Sequence, residues 1–288
     1  MRGQYSVVIP WSDRPVLETT LARNRHLLER HDVETVIVNA GGSNANLTAI
    51  IERAAIPNVV AVNLPCAAFN RALCLNLGME ASSGEYLFFL DADIVMKSDV
   101  FAEAIDDLAS GNRFVAVGRI FESTANTQIN DLSRWNPDLS DRLLSCVSHL
   151  VRTTELVSNE GRRAVTRFQQ SRSGLRAGDG ILLVKRSHLR EVGGLNSCFR
   201  GWGYEDTDLQ IRLQFMLGLE RVEAGEVIHL SHDAALRDEI VWRRNRDAGL
   251  ENYGRGHYAG TLEQDIKQWS RAITVVWPQD GVGTELAV

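Results

Sequence analysis

The sequence has almost no lysine and no long apolar run. Lysine occurs only at Lys97, Lys185 and Lys267, against 31 basic residues in all. Nearly every cation is therefore an arginine, whose planar fork suits phosphate and carboxylate. Acidic residues number 37 and the formal net charge is −6, which argues against sequence-independent nucleic-acid binding through a basic face. No apolar stretch approaches the ~20 residues of a membrane-spanning helix. The longest, "YLFFL" at 86–90, has the length of a buried strand. The opening "MRGQYSVVIPW" runs directly into a strand without the apolar core of a signal peptide, and a cytoplasmic location is expected. Cys66, Cys74, Cys146 and Cys198 show no CxxC spacing. That disfavours a zinc ribbon or a disulfide framework and predicts reduced thiols. Neither an internal repeat nor a low-complexity tract is visible.

What is present is an alternation. "YSVVIP" (5–10), "VETVIVNAGGSN" (33–44), "NVVAVNLP" (58–65), "EYLFFLDAD" (85–93) and "RFVAVGRIFE" (113–122) read as apolar strands. Between them, 16–31, 46–55, 69–82 and 98–110 carry helical periodicity, with Ser98 as a candidate N-cap. Continuously apolar strands alternating with helices predict an α/β fold: a doubly wound, mostly parallel sheet with helices on both faces. Ligands of such sheets bind at the carboxyl ends of the strands, so Pro10–Arg14, Asn39–Ser43 and Asp91–Asp93 should line one crevice. From 123 to 178 the pattern weakens into a polar, arginine-rich segment with one expected helix near 139–157. Order resumes with a strand and short helix at 180–196, a helix after 205 and a strand at 221–232.

Two acidic motifs carry the chemistry. Asp91 and Asp93 lie at i and i+2 where a buried strand ends, so they can converge on one divalent cation. Oxygen ligands of this kind suit Mg²⁺ or Mn²⁺ on a phosphate-bearing substrate. The plain alternative is two acids solvating a strand end. In "GWGYEDTDL" (201–209), Trp202 offers a flat face for a sugar or base, and its flanking glycines permit close backbone approach. Glu205 and Asp206 enter a helix whose dipole favours carboxylates. Capping explains one or two acids but not the glycines around the tryptophan. A carboxylate beside an apolar ring can be tuned as a general base. "HLSH" adds His229 and His232 after a strand, either of which could complete a metal site with Asp93.

With these residues in view, the chain resembles the GT-A glycosyltransferases, family 2-like, with a galactosyltransferase-type C-terminal motif in "GWGYEDTD". The blocks "YSVVIPWSDRP", "VETVIVNAGGSN", "FNRALCLNLGMEASSGEYLFFLDADIV" and "EVGGLNSCFRGWGYEDTDLQIRL" follow that family's order. The resemblance implies a GT-A (Rossmann-like) fold and a metal-dependent, inverting transfer of a sugar from a nucleoside diphosphate to an acceptor hydroxyl. The implied donor is a UDP-sugar of the Gal, GalNAc or GlcNAc type; the cofactor is Mn²⁺ or Mg²⁺; the acceptor is a glycan or small molecule. It implies donor contacts from Pro10, Trp11, Arg14, Asn39, Gly41, Asn70, Arg71, Asp91 and Trp202. Asp93 and His232 are the implied metal ligands, with His229 as the fallback. Asp206 is the implied general base, and Glu205 the residue that hydrogen-bonds the acceptor or donor sugar. The loop 39–43 departs from the family, which often has an acid there. One continuous domain is expected: a nucleotide-sugar-binding half at 1–122, a variable segment at 123–179, and an acceptor-binding and catalytic half at 180–288. The competing readings are a retaining transferase on the same scaffold and a non-catalytic sugar-nucleotide-binding module. A nucleotidyltransferase would want a glycine-rich basic signature that "IPWSDRPVLE" lacks.

Overall fold

Strands buried on both faces need a helical layer on each side, and the chain supplies both. The structure, a computed structural model of the chain, describes residues 4–66, 68–124, 140–171, 173–201, 203–231 and 239–278. The elements run β1 (Tyr5–Trp11), α1 (Val16–Arg30), β2 (Glu34–Ala40), α2 (Asn44–Ala54), β3 (Val59–Leu64), α3 (Arg71–Glu80), β4 (Tyr86–Phe89), β5 (Ile94–Met96), α4 (Val100–Ala109) and β6 (Arg113–Glu122). They continue with α5 (Asp141–Cys146), β7 (His149–Val157), β8 (Arg163–Ser171), β9 (Arg176–Lys185), α6 (Arg186–Glu191), α7 (Glu205–Leu217), β10 (Glu220–His229), α8 (Glu239–Gly254), α9 (Leu262–Trp269) and β11 (Thr274–Trp277).

The sheet order is β11-β3-β2-β1-β4-β9-β6-β10-β5. β3, β2, β1 and β4 are parallel, as are β6 and β10, while β9, β5 and β11 run antiparallel to their neighbours. Alternation along β1 divides the core. Val7, Ile9 and Trp11 pack with Leu17 and Leu21 of α1, Leu47 of α2 and Phe101 of α4. Val8 packs with Leu73 and Leu77 of α3 and Leu209 and Leu213 of α7. This is the expected α/β architecture with helices on both faces. Among the described residues, no helix is long and apolar enough to cross a membrane.

The segment after β6 departs from expectation. The helix expected near 139–157 is one short turn, α5, followed by a β-hairpin in which β7 and β8 pair antiparallel from His149↔Ser171 to Val157↔Arg163. β7 is exposed along most of its length, so neither face had to be apolar and no period-2 signal was written into it. Its β-branched residues Val151, Thr153, Thr154 and Val157 were the available cue.

Candidate active site

Sheet register builds the first half of the site. The chain leaves β4, turns through Asp91–Asp93 and forms β5, which pairs with β10 so that Ile94 faces His229. On its other side β10 pairs with β6 so that His229 faces Glu122. The imidazole therefore lies between two acids. His229 Nδ1 is 2.6 Å from Glu122 Oε2, and Nε2 is 3.6 Å from Asp93 Oδ2. The Glu122 side chain is almost fully buried. It also accepts from Arg176 Nε (3.0 Å) and Ser231 Oγ (2.9 Å). Burial alone would raise its carboxyl, but hydrogen bonding and charge from His229 and Arg176 outweigh it and hold the group down at about 2. Burial would lower the His229 imidazole; the bonds to Asp93 and Glu122 reverse this, so it is held above its ordinary value. Arg14 Nη1 donates to Asp93 Oδ2 at 2.9 Å. The DAD turn is fixed from below by buried polar groups of α1: Thr20 Oγ1 donates to the Ala92 carbonyl, Asn24 Nδ2 donates to that of Ile94, and Met96 N donates to Asn24 Oδ1.

The second half is the start of α7. Gly201 and Gly203 have φ of 71° and 92°, and Tyr204, which is not a glycine, has φ of 79°. A Cβ on Gly203 would stand 2.5 Å from Trp242 Cδ1 of α8, so the turn needs glycine for both conformation and space. Asn245 of α8 pins it by donating to the carbonyls of Gly203 (2.8 Å) and Arg200 (3.2 Å). Tyr204 is held in its unfavourable conformation by edge contacts with Phe199 and Trp242. α7 then begins at Glu205, with no side-chain cap from Tyr204. The capping account of the acids is thus insufficient: none of them is the N-cap residue.

Arg71 joins the halves. Its Nε donates to Asp91 Oδ1 at 2.7 Å, its Nη1 lies 3.6 Å from Glu205 Oε1, and its Nη2 donates to the Gly180 carbonyl at 2.7 Å. Burial works against its charge, but Asp91, Glu205 and Asp206 hold it firmly protonated. Burial pushes the Glu205 carboxyl well above the usual range, Asp206 pushes the same way, and Arg71 only partly offsets them. A Cβ on Gly180 would stand 3.0 Å from Asp206 Oδ2, so the missing side chain leaves room in front of that carboxylate. Asp206 Oδ1 accepts from Thr207 N at 2.7 Å.

The first two loops contribute differently from expectation. Trp11 and Asn39 are 1% and 0% exposed, so neither presents a surface to a ligand. Trp11 Nε1 donates to the Arg14 carbonyl, while Asn39 Nδ2 donates to the Gly42 carbonyl and Asn44 Oδ1 and its Oδ1 accepts from Gly42 N. They shape the loops from beneath. Pro10 is likewise buried in β1, whereas Arg14 is partly exposed. Gly41 makes the left-handed turn after β2, φ 80°. Asn70 caps α3 by accepting from Leu73 N (3.0 Å) and donates to the carbonyl of Ser197 (2.8 Å), tying α3 to the approach to the GWG turn. Trp202 and His232 lie outside the described residues.

Asp93 and His229 offer one carboxylate and one imidazole to a cation, with Glu122 orienting the imidazole, an arrangement metal sites favour. Among the described residues, no group of three or more His, Cys, Asp or Glu side chains surrounds a single point. The pair would suit Mn²⁺ or Mg²⁺. Sequence reasoning missed Glu122, Thr20, Asn24, Asp179 and Gly180. Glu122 ends a strand, as Asp91 follows one, and that was the only signal it gave.

Comparison with known proteins agrees with this fold. Residues 6–173 match the family described as glycosyl transferase family 2, and residues 164–233 match the one described as the N-terminal domain of galactosyltransferase. No curated protein matches the chain. Among solved structures, similarity extends to a mannosyltransferase from Pyrobaculum calidifontis in complex with GDP-Man and Mn²⁺: 16% identity, TM-score 0.53, 93% of this chain and 68% of that one. A second is TarS of S. aureus: 11% identity, TM-score 0.50, 80% of this chain and 37% of that one. At these identities the likeness is one of fold.

Proposed function

The chain belongs to glycosyl transferase family 2, and on that premise we propose that it is a metal-dependent, inverting glycosyltransferase using a nucleoside-diphosphate sugar. One observation carries the reading: Arg71 links Asp91 of the DAD turn to Glu205 of the α7 motif, so the two acidic stretches share one crevice. The proposed donor is a UDP-sugar of the Gal, GalNAc or GlcNAc type, supported by the galactosyltransferase-type match over 164–233. A GDP-sugar is the rival, because the Pyrobaculum neighbour binds GDP-Man.

Asp93 and His229 would hold the cation, and His232 is the other candidate for the imidazole. When bound, a divalent cation there neutralises the charge that develops on a departing diphosphate. Arg14, Arg71 and Asp91 orient the donor, and Trp202 packs near the transferred sugar. Trp11, Asn39, Gly41 and Asn70 act through the loops they shape. The acceptor oxygen attacks C1 of the donor sugar, the bond from C1 to the phosphate oxygen breaks, and the anomeric configuration inverts. Asp206 takes the acceptor proton as that oxygen attacks. Glu205, whose carboxyl burial pushes above the usual range, hydrogen-bonds a hydroxyl of the acceptor or donor sugar. The division of labour is residues 1–122 for the donor and 180–288 for the acceptor and catalysis, with 123–179 as the variable part.

The test is a panel of UDP- and GDP-sugars with Mn²⁺, followed by nucleoside diphosphate release in wild type, D93A and D206N. Slow hydrolysis of one donor, abolished by EDTA and in D93A, is expected. No turnover and no metal-dependent nucleotide binding across the panel would sink the catalytic reading and leave a sugar-nucleotide-binding module.

A further inference from the structure

β9 does not run regularly past β6. Val117 pairs with Gly178 and Ala116 with Leu182, so Asp179, Gly180 and Ile181 have no counterparts opposite them. Bulges of this sort re-aim side chains and gather beside active sites. This one is pinned from α3 and α7. The Asp179 carbonyl accepts from Gln210 Nε2 of α7 at 2.9 Å, and the Gly180 carbonyl from Arg71 Nη2 at 2.7 Å. The Asp179 side chain is anchored at one oxygen only. Arg221 Nη2 donates to Oδ1 at 2.9 Å, with Arg221 itself 7% exposed and held by Gln210 and Glu223. Among the described residues, no hydrogen bond reaches Asp179 Oδ2, and the side chain keeps 30% of its surface. The neighbouring residue, Gly180, is the one whose missing Cβ clears Asp206.

We propose that Asp179 is an acceptor-binding residue whose free carboxylate oxygen accepts a hydrogen bond from the hydroxyl adjacent to the one Asp206 deprotonates. The acceptor is then a vicinal diol, a saccharide or cyclitol, rather than a lone alcohol such as a serine side chain. The inference rests on the transferase reading above. The charged groups facing Asp179 support it. Burial is the largest influence, with Asp206 and Glu223 adding to it and Arg221 opposing it, and together they push its carboxyl up to about 6. A carboxylate so crowded by acids gains from an incoming hydroxyl donor.

The test measures nucleoside diphosphate release from the best donor with Mn²⁺, adding methyl β-galactoside, methyl β-glucoside and methyl N-acetyl-β-glucosaminide as diol probes. Cyclohexanol and N-acetylserine amide serve as single-hydroxyl probes. Diols are expected to accelerate release, and D179A to raise their KM about 10- to 100-fold, the worth of one hydrogen bond to a charged group, with the loss falling on KM more than on kcat. The monodeoxy analogue of the best diol should show the same loss on wild type and no further loss on D179A, the signature of a shared contact. If D179A does not fold, D179N keeps the shape and should give an intermediate loss. An unchanged KM, an equal response to single-hydroxyl probes, or no response to any diol while the donor is still hydrolysed would overturn the proposal. Failure of wild type to hydrolyse any donor would instead defeat the transferase reading itself.

Discussion

Asp206 and Asp208 stand two residues apart on the first turn of α7, and at about 100° per residue they leave the helix on opposite sides. Asp206 turns toward Gly180 and the crevice. Asp208 turns inward, 3% exposed, where Arg212 Nε donates to it at 2.9 Å and the Tyr253 hydroxyl at 2.6 Å. Arg212 continues to the carbonyls of Val192 and Gly194, fastening α7 to the turn after α6. One acidic motif thus holds both a carboxylate facing Gly180 and the ion pair that fixes its position. Charge content alone does not distinguish them; the direction each side chain takes does.

The largest effect that would sharpen this contrast is on turnover. D206N should lower kcat by roughly 10²- to 10⁴-fold, the usual worth of a positioned base, while its melting temperature stays at the wild-type value. A D206N enzyme with wild-type kcat would remove the base assignment. D208N should do the reverse. Stripping the charge leaves Arg212 buried without its counter-ion, a loss of about 3–5 kcal/mol and a fall of roughly 10 °C in Tm for a chain of this size. The folded fraction should keep its kcat within about threefold. An unmoved Tm in D208N would break the comparison from the other side.

A smaller effect concerns the metal. E122Q should weaken the Mn²⁺ dependence of nucleoside diphosphate release about 10- to 100-fold, because the group orienting a ligating imidazole is altered; Mn²⁺ titration of the variant decides it. The smallest concerns Glu205. Its carboxyl is raised in the fold, so the neutral form is the one the structure favours. That stability is complete below the ordinary carboxyl pKa of about 4.3 and is lost as pH rises through the folded value. E205Q should therefore melt about 2–4 °C above wild type at pH 8, with the gain shrinking toward pH 4. A gain that grows on acidification would reverse the argument.

Much of the fold was legible because its signals are local. β1, β2, β3 and β4 are apolar on both faces and end in polar turns, and α1 carries its core stripe at Leu17, Leu21, Leu27 and Leu28. The polar residues of that same helix were not legible. Thr20 and Asn24 are polar residues that no apolar pattern marks, yet they are buried and hold the DAD turn 70 or more residues away in sequence. The hairpin β7–β8 was missed because β7 is exposed along most of its length. The resemblance implies donor contacts at Trp11 and Asn39, but Trp11 is sealed beneath its loop and Asn39 is consumed by its own turn.

The sequence by itself determined the order of elements, the placement of acids at strand and helix ends, and the glycines that let the turn before α7 adopt positive φ. Each follows from periodicity, backbone conformation or spacing within a few residues. Tertiary structure alone decided that His229 stands beside Asp93, that Glu122 bonds its other nitrogen, that Arg71 joins Asp91 to Glu205, and that a bulge leaves Asp179 and Gly180 without partners on β6. These contacts join residues separated by more than a hundred positions, or hang on sheet register, where a shift of one residue reverses every side chain. No local pattern encodes that register, since it is fixed only when the whole sheet is assembled against both helical layers.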